Sequence, residues 1–93
     1  MIVSVLRLRF YAPYVHSLKE KRMITKSLIQ KIGNQFHVSV AEIEEQDVHQ
    51  TIVLGIAVIA AHHSLADSIL DHIIRYVEQN SEAQLVSVER EDS

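Results

Sequence analysis

Residues 37–60, HVSVAEIEEQDVHQTIVLGIAVIA, decide the fold because they hold two strands joined by a short polar turn. From His37 to Glu45 apolar and polar residues alternate, with the period of two that is typical of a half-exposed strand. Residues 46–49 form the turn. Thr51 to Ala60 is apolar at nearly every position, as expected for a central strand with both faces covered. The middle of the chain is therefore predicted to be a β-hairpin.

A helix is predicted on each side of this hairpin. Before it, residues 17–20, SLKE, have the spacing of a capping box, and Gly33-Asn34 supplies a stop signal. After it, Ser64 with Asp67 repeats the same signature, and the helix is predicted to end at residues 80–81, Asn-Ser. Apolar residues gather on one side of each segment at helical spacing, so each helix has one face to bury.

A strand is predicted at each end of the chain. Ile2 to Tyr11 alternates with a period of two, and Pro13 ends the strand because proline cannot donate to a ladder. Leu85 to Glu89 alternates as the last strand. The order β-α-β-β-α-β, with short connections and right-handed crossovers, favours a ferredoxin-like α+β sandwich. We expect one domain over residues 1–93, with two helices on one face of a four-stranded antiparallel sheet and strands one and three central.

The composition fits a small domain without covalent cross-links. The 93 residues are 47% hydrophobic, which is ample for a packed core. Cysteine is absent, which excludes disulfides and thiolate metal sites and fits a reducing cytoplasm. The longest apolar run, Ile52 to Ala61, is half of the roughly 20 residues needed to span a bilayer. Met1 leads straight into a strand, so we expect a cytoplasmic protein with no membrane span and no signal peptide.

Charge is divided unevenly along a chain whose net charge is −3. Residues 1–31 hold seven Lys and Arg against Glu20 alone, whereas residues 32–93 hold Arg75 and Arg90 against eleven acidic residues. A positive region on an acidic chain can attract polyanions. The alternative is that the two regions attract each other and assist folding or dimer pairing.

The basic residues predict a nucleic-acid-binding surface. Cations on the first strand and on one edge of the first helix can contact phosphates, with salt-dependent affinity and little sequence discrimination. The predicted surface consists of Arg7, Arg9, Lys19, Lys21, Arg22 and Lys26. Their alternative role is ordinary solubility. Strand three has no aromatic residue, so a sheet on which RNA bases stack is not expected.

Lys21 has an unusual position because it lies in the middle of the apolar side of its helix. One interpretation is that it extends its ammonium group out at the end of the sandwich. Another is that it meets a carboxylate of the acidic segment, such as Glu42 or Glu44. A cation near a helix N-terminus is mildly unfavourable, so helix stability does not explain it.

The sheet face turned away from the helices is predicted to be an interface. If strand alternation assigns the faces correctly, this face carries Val3, Val5, Val53, Ala57 and Ile59. An exposed apolar patch usually marks an interaction site, so we expect a homodimer or a partner surface. The alternative is that the two faces are assigned the wrong way round, since both sides of strand three are apolar.

No catalytic, metal or cofactor site is predicted. The six histidines lack a ligand spacing such as His-x₃-His, and there is no nucleophile elbow and no glycine-rich phosphate loop. Acylphosphatases share this topology and length but have a glycine-rich loop that leads to a catalytic arginine. Residues 11–17, YAPYVHS, hold neither glycine nor arginine. We therefore expect a protein that is not an enzyme.

Several of these segments resemble the YlxP-like family of small bacterial proteins. The resemblance rests on MIVSVLRLRF at the start, on SLKEKR, and on an FHVSVAE strand followed by a Q-D-x-x-Q turn, and residues 1–60 carry most of it. His49 departs from the family pattern, in which an aromatic residue, often Trp, is expected at this position, so the resemblance does not support a stacking role for the turn. The motif positions are Ser17, Leu18, Lys19, Lys21, Arg22, Glu42, Asp47 and Gln50.

The resemblance implies a ferredoxin-like fold and a cytoplasmic bacterial protein, and it attaches no catalytic assignment to any motif position. Genes of this family commonly lie among translation and ribosome-maturation genes, which implies an RNA- or ribosome-associated role. We expect a non-enzymatic factor that binds ribosomal RNA or the small ribosomal subunit through its basic N-terminal surface. The alternative is a homodimeric protein-interaction module that uses the exposed sheet face and has no nucleic-acid role.

Overall fold

The computed structural model describes residues 1–92 and has the predicted order of elements. The strands pair antiparallel in the spatial order β2-β3-β1-β4, so the first and third strands are central. The predicted ferredoxin-like fold is therefore confirmed. The elements are β1 (Ile2–Tyr11), α1 (Leu18–Phe36), β2 (Ser39–Glu44), β3 (Thr51–Ala60), α2 (His63–Asn80) and β4 (Gln84–Asp92).

The core lies between the two helices and one face of the sheet. Alternation along β1 buries Leu6, Leu8 and Phe10 completely, and the register places Leu54 and Ile56 beside the first two on β3. The helices contribute their own buried apolar residues: Leu28 and Ile32 from α1, and Ala66, Leu70, Ile73 and Val77 from α2. The even-numbered residues of β1 and β3 thus face the helices, which is the assignment of faces that the alternation predicts.

The end of α1 differs from the prediction. The helix does not stop at Gly33-Asn34 but continues to Phe36, whose ring packs edge-on against Tyr76 of α2 with 5.5 Å between ring centroids. His37 then ends the helix in the left-handed conformation, with φ 53°, and its N–H donates to the carbonyl of Gly33. A contact between distant parts of the chain therefore extends α1 beyond its local stop signal, and β2 begins only at Ser39.

The start of α2 also differs, whereas the start of α1 is as predicted. Ser17 caps α1, because its hydroxyl accepts a hydrogen bond from the N–H of Glu20 at 3.1 Å. In α2 the cap is His62 and not Ser64. The Nδ1 atom of His62 accepts from the N–H of Leu65 at 3.3 Å, so an imidazole nitrogen occupies the place of the usual cap oxygen. Ser64 instead places its hydroxyl 2.9 Å from that Nδ1.

Neither helix of residues 1–92 is long and apolar enough to cross a membrane.

Candidate functional site

Two of the motif residues, Ser17 and Gln50, make structural contacts at one end of the sandwich, where β1 ends, α1 begins and β3 starts. The Nε2 atom of Gln50 donates to the carbonyl of Val15 at 2.6 Å, and the N–H of Ala12 donates to the carbonyl of Gln50 at 2.8 Å. Gln50 therefore ties the loop after β1 to the start of β3. Together with the helix cap formed by Ser17, these contacts give the two motif residues structural roles.

Lys21 is buried at the same end, with only 1% of its surface exposed. Its Nζ atom lies 3.1 Å from Oε2 of Glu42 and also donates to the backbone carbonyl of Glu45. The ammonium group thus meets Glu42, one of the two carboxylates that the sequence offered. Lys21 presents no charge to solvent, which removes it from the predicted nucleic-acid surface.

A β-bulge in β2 explains why Glu42, and not Glu44, contacts Lys21. The Cα of Glu42 pairs with Leu54 on the helix side of the sheet, but the register shifts before Glu44, which pairs with Val53 on the opposite side. Ile43 is the extra residue of the bulge, and it shifts the pairing of β2 with β3 by one residue, so that the side chains after it exchange faces. Two acidic residues that strict alternation would place on one face therefore lie on opposite faces.

Arg7 is held between two carboxylates on the sheet face away from the helices. Its Nε atom donates to Glu44 at 2.7 Å, its Nη2 atom contacts the same carboxylate, and Nη1 donates to Glu89 at 2.7 Å. Arg9 lies on the same face and is half-buried. Within residues 1–92 the Arg9 side chain forms no hydrogen bond or ion pair. The charge of Arg7 is therefore compensated inside the chain, whereas that of Arg9 is not.

Lys19, Arg22 and Lys26 lie along one exposed edge of α1, and we name them the α1 basic strip. Their side chains form no hydrogen bond or ion pair with any residue from 1 to 92. At about 1.5 Å per residue the strip is about 10 Å long. Gly33, farther along the same side of α1, lies against Val40, so the strip borders the β2 edge of the sandwich.

The structure divides the six predicted cations and does not bring them together. Arg7 and Arg9 lie beneath the sheet, whereas the α1 basic strip lies in the helix layer above it. The predicted single basic surface is therefore corrected to one exposed strip on α1. The sequence identified the charged residues but not their partners, because the pairing of Arg7 with Glu44 depends on a bulge that has no clear local signal.

The predicted interface residues do share the sheet face away from the helices. Ile59 is 70% exposed and Val5 is 36% exposed, but Val53 is fully buried and adds no accessible area. A groove of about 320 Å³ runs along this face between β2 and β3 and is lined by Val5, Ser39, Val40, Ala41, Ile43, Gly55, Ile56 and Ala57. Sequence reasoning missed the contribution of β2, since that short strand carries no continuous apolar run.

Gly55 forms the floor of this groove through a close approach of the backbone to a neighbouring side chain. A Cβ atom at this position would lie 2.9 Å from Cγ2 of Ile43, which is closer than side chains pack. The exposed Ile43 therefore lies directly on the backbone of β3. Glycine is required here by the space that Ile43 occupies.

The titratable side chains that the structure describes form no recognisable metal site. Within residues 1–92 no group of three or more His, Asp or Glu is arranged to hold a metal ion. At the end of the sandwich where α1 begins, partial burial and the carboxylate of Glu82 raise the pKa of Tyr14 above its ordinary value. This shift keeps the phenol protonated and does not suggest a base.

Comparisons with known proteins give a family and a fold. The family model described as "Protein of unknown function (DUF503)" matches residues 3–90. A Bacillus subtilis (strain 168) protein named "Uncharacterized protein YlxP" is 31% identical over 68 residues, which cover 73% of this chain and 74% of that protein.

Two designed proteins have similar structures. LFR1 1, a de novo design with a ferredoxin fold, has a TM-score of 0.57 at 17% identity, with 99% of this chain and 84% of the design covered. The de novo design Foldit4 has a TM-score of 0.52 at 13% identity, with 99% of this chain and 94% of the design covered. At such identities the likeness shows the fold alone.

Proposed function

The chain belongs to the DUF503 family, and on that premise we propose that it is a non-enzymatic cytoplasmic factor that binds RNA through the α1 basic strip. The RNA is ribosomal, either free or in the small ribosomal subunit. The observation that carries the proposal is the clustering of uncompensated charge. Among the side chains of residues 1–91, five Lys and Arg form no hydrogen bond or ion pair, and three of the five make up the strip: Arg9, Lys19, Arg22, Lys26 and Arg75.

Uncompensated cations favour phosphate binding because no intramolecular ion pair has to break first. Arg7 would have to break its ion pairs with Glu44 and Glu89 before it could bind a phosphate. Arg90 would likewise have to break its ion pairs with Asp67 and Asp71. The strip residues are exposed, so contact with a phosphate costs little desolvation.

The rest of the molecule favours phosphates over bases as the group that is bound. Residues 51–60 of β3 include no aromatic side chain on which a base could stack. Binding through phosphates alone gives affinity with little sequence preference. The translation-related gene neighbourhood implied by the YlxP-like resemblance supports ribosomal RNA as the polyanion.

The test measures binding of labelled small-subunit ribosomal RNA by fluorescence anisotropy at 50 and 200 mM salt. Three phosphate contacts on single-stranded RNA predict a slope of about −2 in log affinity against log salt, which is about a 20-fold loss across this range. The variant Lys19→Ala/Arg22→Ala/Lys26→Ala should lose most of the affinity at 50 mM and most of the slope.

A control variant separates the strip from net charge. Ser68→Glu/Gln79→Glu/Gln84→Glu changes the net charge by the same amount as the strip variant, at exposed positions of α2 and β4. It should retain the wild-type salt slope and most of the affinity. Wild-type binding by the strip variant, or an equal loss in the control, would contradict the proposal.

A further inference from the structure

We propose that the sheet face away from the helices binds the same face of a second copy of this chain, about a two-fold axis parallel to the strands. This inference goes beyond the proposed function and does not depend on it, because the α1 basic strip lies in the helix layer and stays exposed in such a dimer.

The face is divided along the strand direction into an apolar end and a charged end. At the apolar end, Val3 pairs with Ile59 and Val5 pairs with Ala57 across the two central strands, and the exposed Glu91 of β4 lies beside Val5 at the sheet edge. At the charged end lie Arg7 and Arg9, together with the carboxylates that reach Arg7 from β2 and β4. A partner that covers the whole face must therefore be apolar at one end and charged at the other.

A second copy satisfies this requirement in only one of the two simple orientations. A two-fold axis that runs parallel to the strands, between β1 and β3, places β1 of one copy over β3 of the other. It does not reverse the strand direction, so the apolar end of one face lies on the apolar end of the other. Val3 then faces the partner's Ile59. An axis across the strands would place Ile59 against the charged end. The aligned orientation is also a common packing of two sheets, with strand directions about 30° apart.

The shapes of the facing rows are complementary in this orientation. Val5 of each copy lies over the partner's Ala57 and enters the groove that Gly55 and Ala41 keep open. Ile43 occupies the space directly over Gly55, so Val5 packs beside Ile43 and over the small side chain of Ala57. A larger residue faces smaller ones, in the way that facing sheets interdigitate.

The charges at the other end are balanced within each copy, so covering them leaves no unpaired carboxylate beside Arg7. Arg7 already contacts Glu44 and Glu89 in its own chain, so its guanidinium remains paired when it is covered. Arg9 has no such partner among the side chains of residues 1–91. In the dimer it lies level with the partner's Glu44 along the strand direction, and one strand spacing to the side of it. The dimer thus gives a carboxylate to the uncompensated arginine of this face.

The size of the face sets an upper limit on the area that the dimer can bury. The ten-residue central strands are about 33 Å long, and four strands make the sheet about 19 Å wide, at the usual spacings of 3.3 and 4.8 Å. Each copy therefore offers about 600 Å², which gives about 1,200 Å² in total and is the lower limit for a specific interface. We expect dissociation in the micromolar range.

Sedimentation velocity between 5 and 500 μM tests the dimer. The wild-type chain should change from monomer to dimer over this range, and Ile59→Asp should remain a monomer. Met23→Asp is the matched control, since Met23 is 65% exposed on α1 and Ile59 is 70% exposed on the sheet. It should dimerise as the wild type does. A wild-type monomer at 500 μM, or equal loss of dimer in both variants, would overturn the proposal.

Disulfide trapping tests the direction of the axis without relying on a disruptive variant. The chain has no cysteine, so Val5→Cys and Ala57→Cys can be prepared separately, mixed and oxidised with diamide. The mixture should give a cross-linked dimer, because the axis along the strands brings these positions face to face. A mixture of Val5→Cys with Arg9→Cys should not. Cross-linking of the second mixture in place of the first would overturn the proposed axis.

Discussion

At the scale of single residues, Lys21 shows how a position that is unfavourable in the sequence becomes a fixed contact in the fold. Its ammonium group exchanges water for an oxygen of Glu42 and the carbonyl of Glu45. The sequence left two interpretations of Lys21 open, an ammonium group extended to solvent or a carboxylate partner, and the structure has the second. The sequence could not choose between Glu42 and Glu44, since the choice depends on the bulge at Ile43.

Replacement of Lys21 should destabilise the chain through the carboxylate that it leaves behind. Lys21→Met should lower the free energy of unfolding by about 3 kcal/mol, because Glu42 loses its partner in a largely buried site. Lys21→Met/Glu42→Leu should recover most of that loss. Urea denaturation measures both, with exposed Lys19→Met expected within about 0.5 kcal/mol of wild type. If the double variant were as unstable as the single variant, the ion pair would not be the cause.

At the scale of helices and strands, local patterns predicted which elements exist better than where they end. The bounds of β1 and β3 are as predicted, since a period of two and a long apolar run extend over the full length of each strand. The end of α1 could not be predicted, because it depends on the contact between Phe36 and Tyr76. The start of α2 was missed because histidine is not among the common N-cap residues.

The cap of α2 can be improved, which tests the role assigned to His62. His62→Asp should raise the free energy of unfolding by about 0.5 to 1 kcal/mol, because a carboxylate is a better acceptor at the N-cap and is stabilised by the helix dipole. His62→Ala should lower it by about 1 kcal/mol, because the N–H of Leu65 loses its acceptor. Thermal and urea unfolding measure both changes. Equal stability of the two variants would mean that the imidazole does not act as a cap.

At the scale of the whole molecule, part of the uneven charge of the sequence is compensated by ion pairs within the chain. Arg7 and Lys21, from the basic region, pair with Glu44, Glu89 and Glu42 from the acidic region. The alternative that the two regions attract each other thus accounts for part of the basic surface predicted from the sequence. The sequence identifies the basic residues, but only the three-dimensional structure shows which of them form ion pairs and which form the α1 basic strip.

The acidic side of the molecule should weaken RNA binding from a distance. Glu78 and Glu82 are exposed at the C-terminal end of α2, in a molecule about 22 Å across. Glu78→Gln/Glu82→Gln should bind ribosomal RNA about twofold more tightly at 20 mM salt, where charges act over about 20 Å. At 0.3 M salt the anisotropy titrations of variant and wild type should coincide. An effect that persists at high salt would point to direct contact at these positions.

The burial of Lys21 has a chemical consequence. The chain has four lysines, and Lys19, Lys26 and Lys31 are exposed whereas Lys21 is not. Acetylating reagents and lysine acetyltransferases therefore encounter three lysine amines on the folded chain, and the fourth only when the contact between α1 and the turn after β2 opens. The extent of acylation at Lys21, relative to that at Lys19 two residues away, reports the equilibrium of that opening. The native sequence thus contains both a probe of its local unfolding and an internal reference for it.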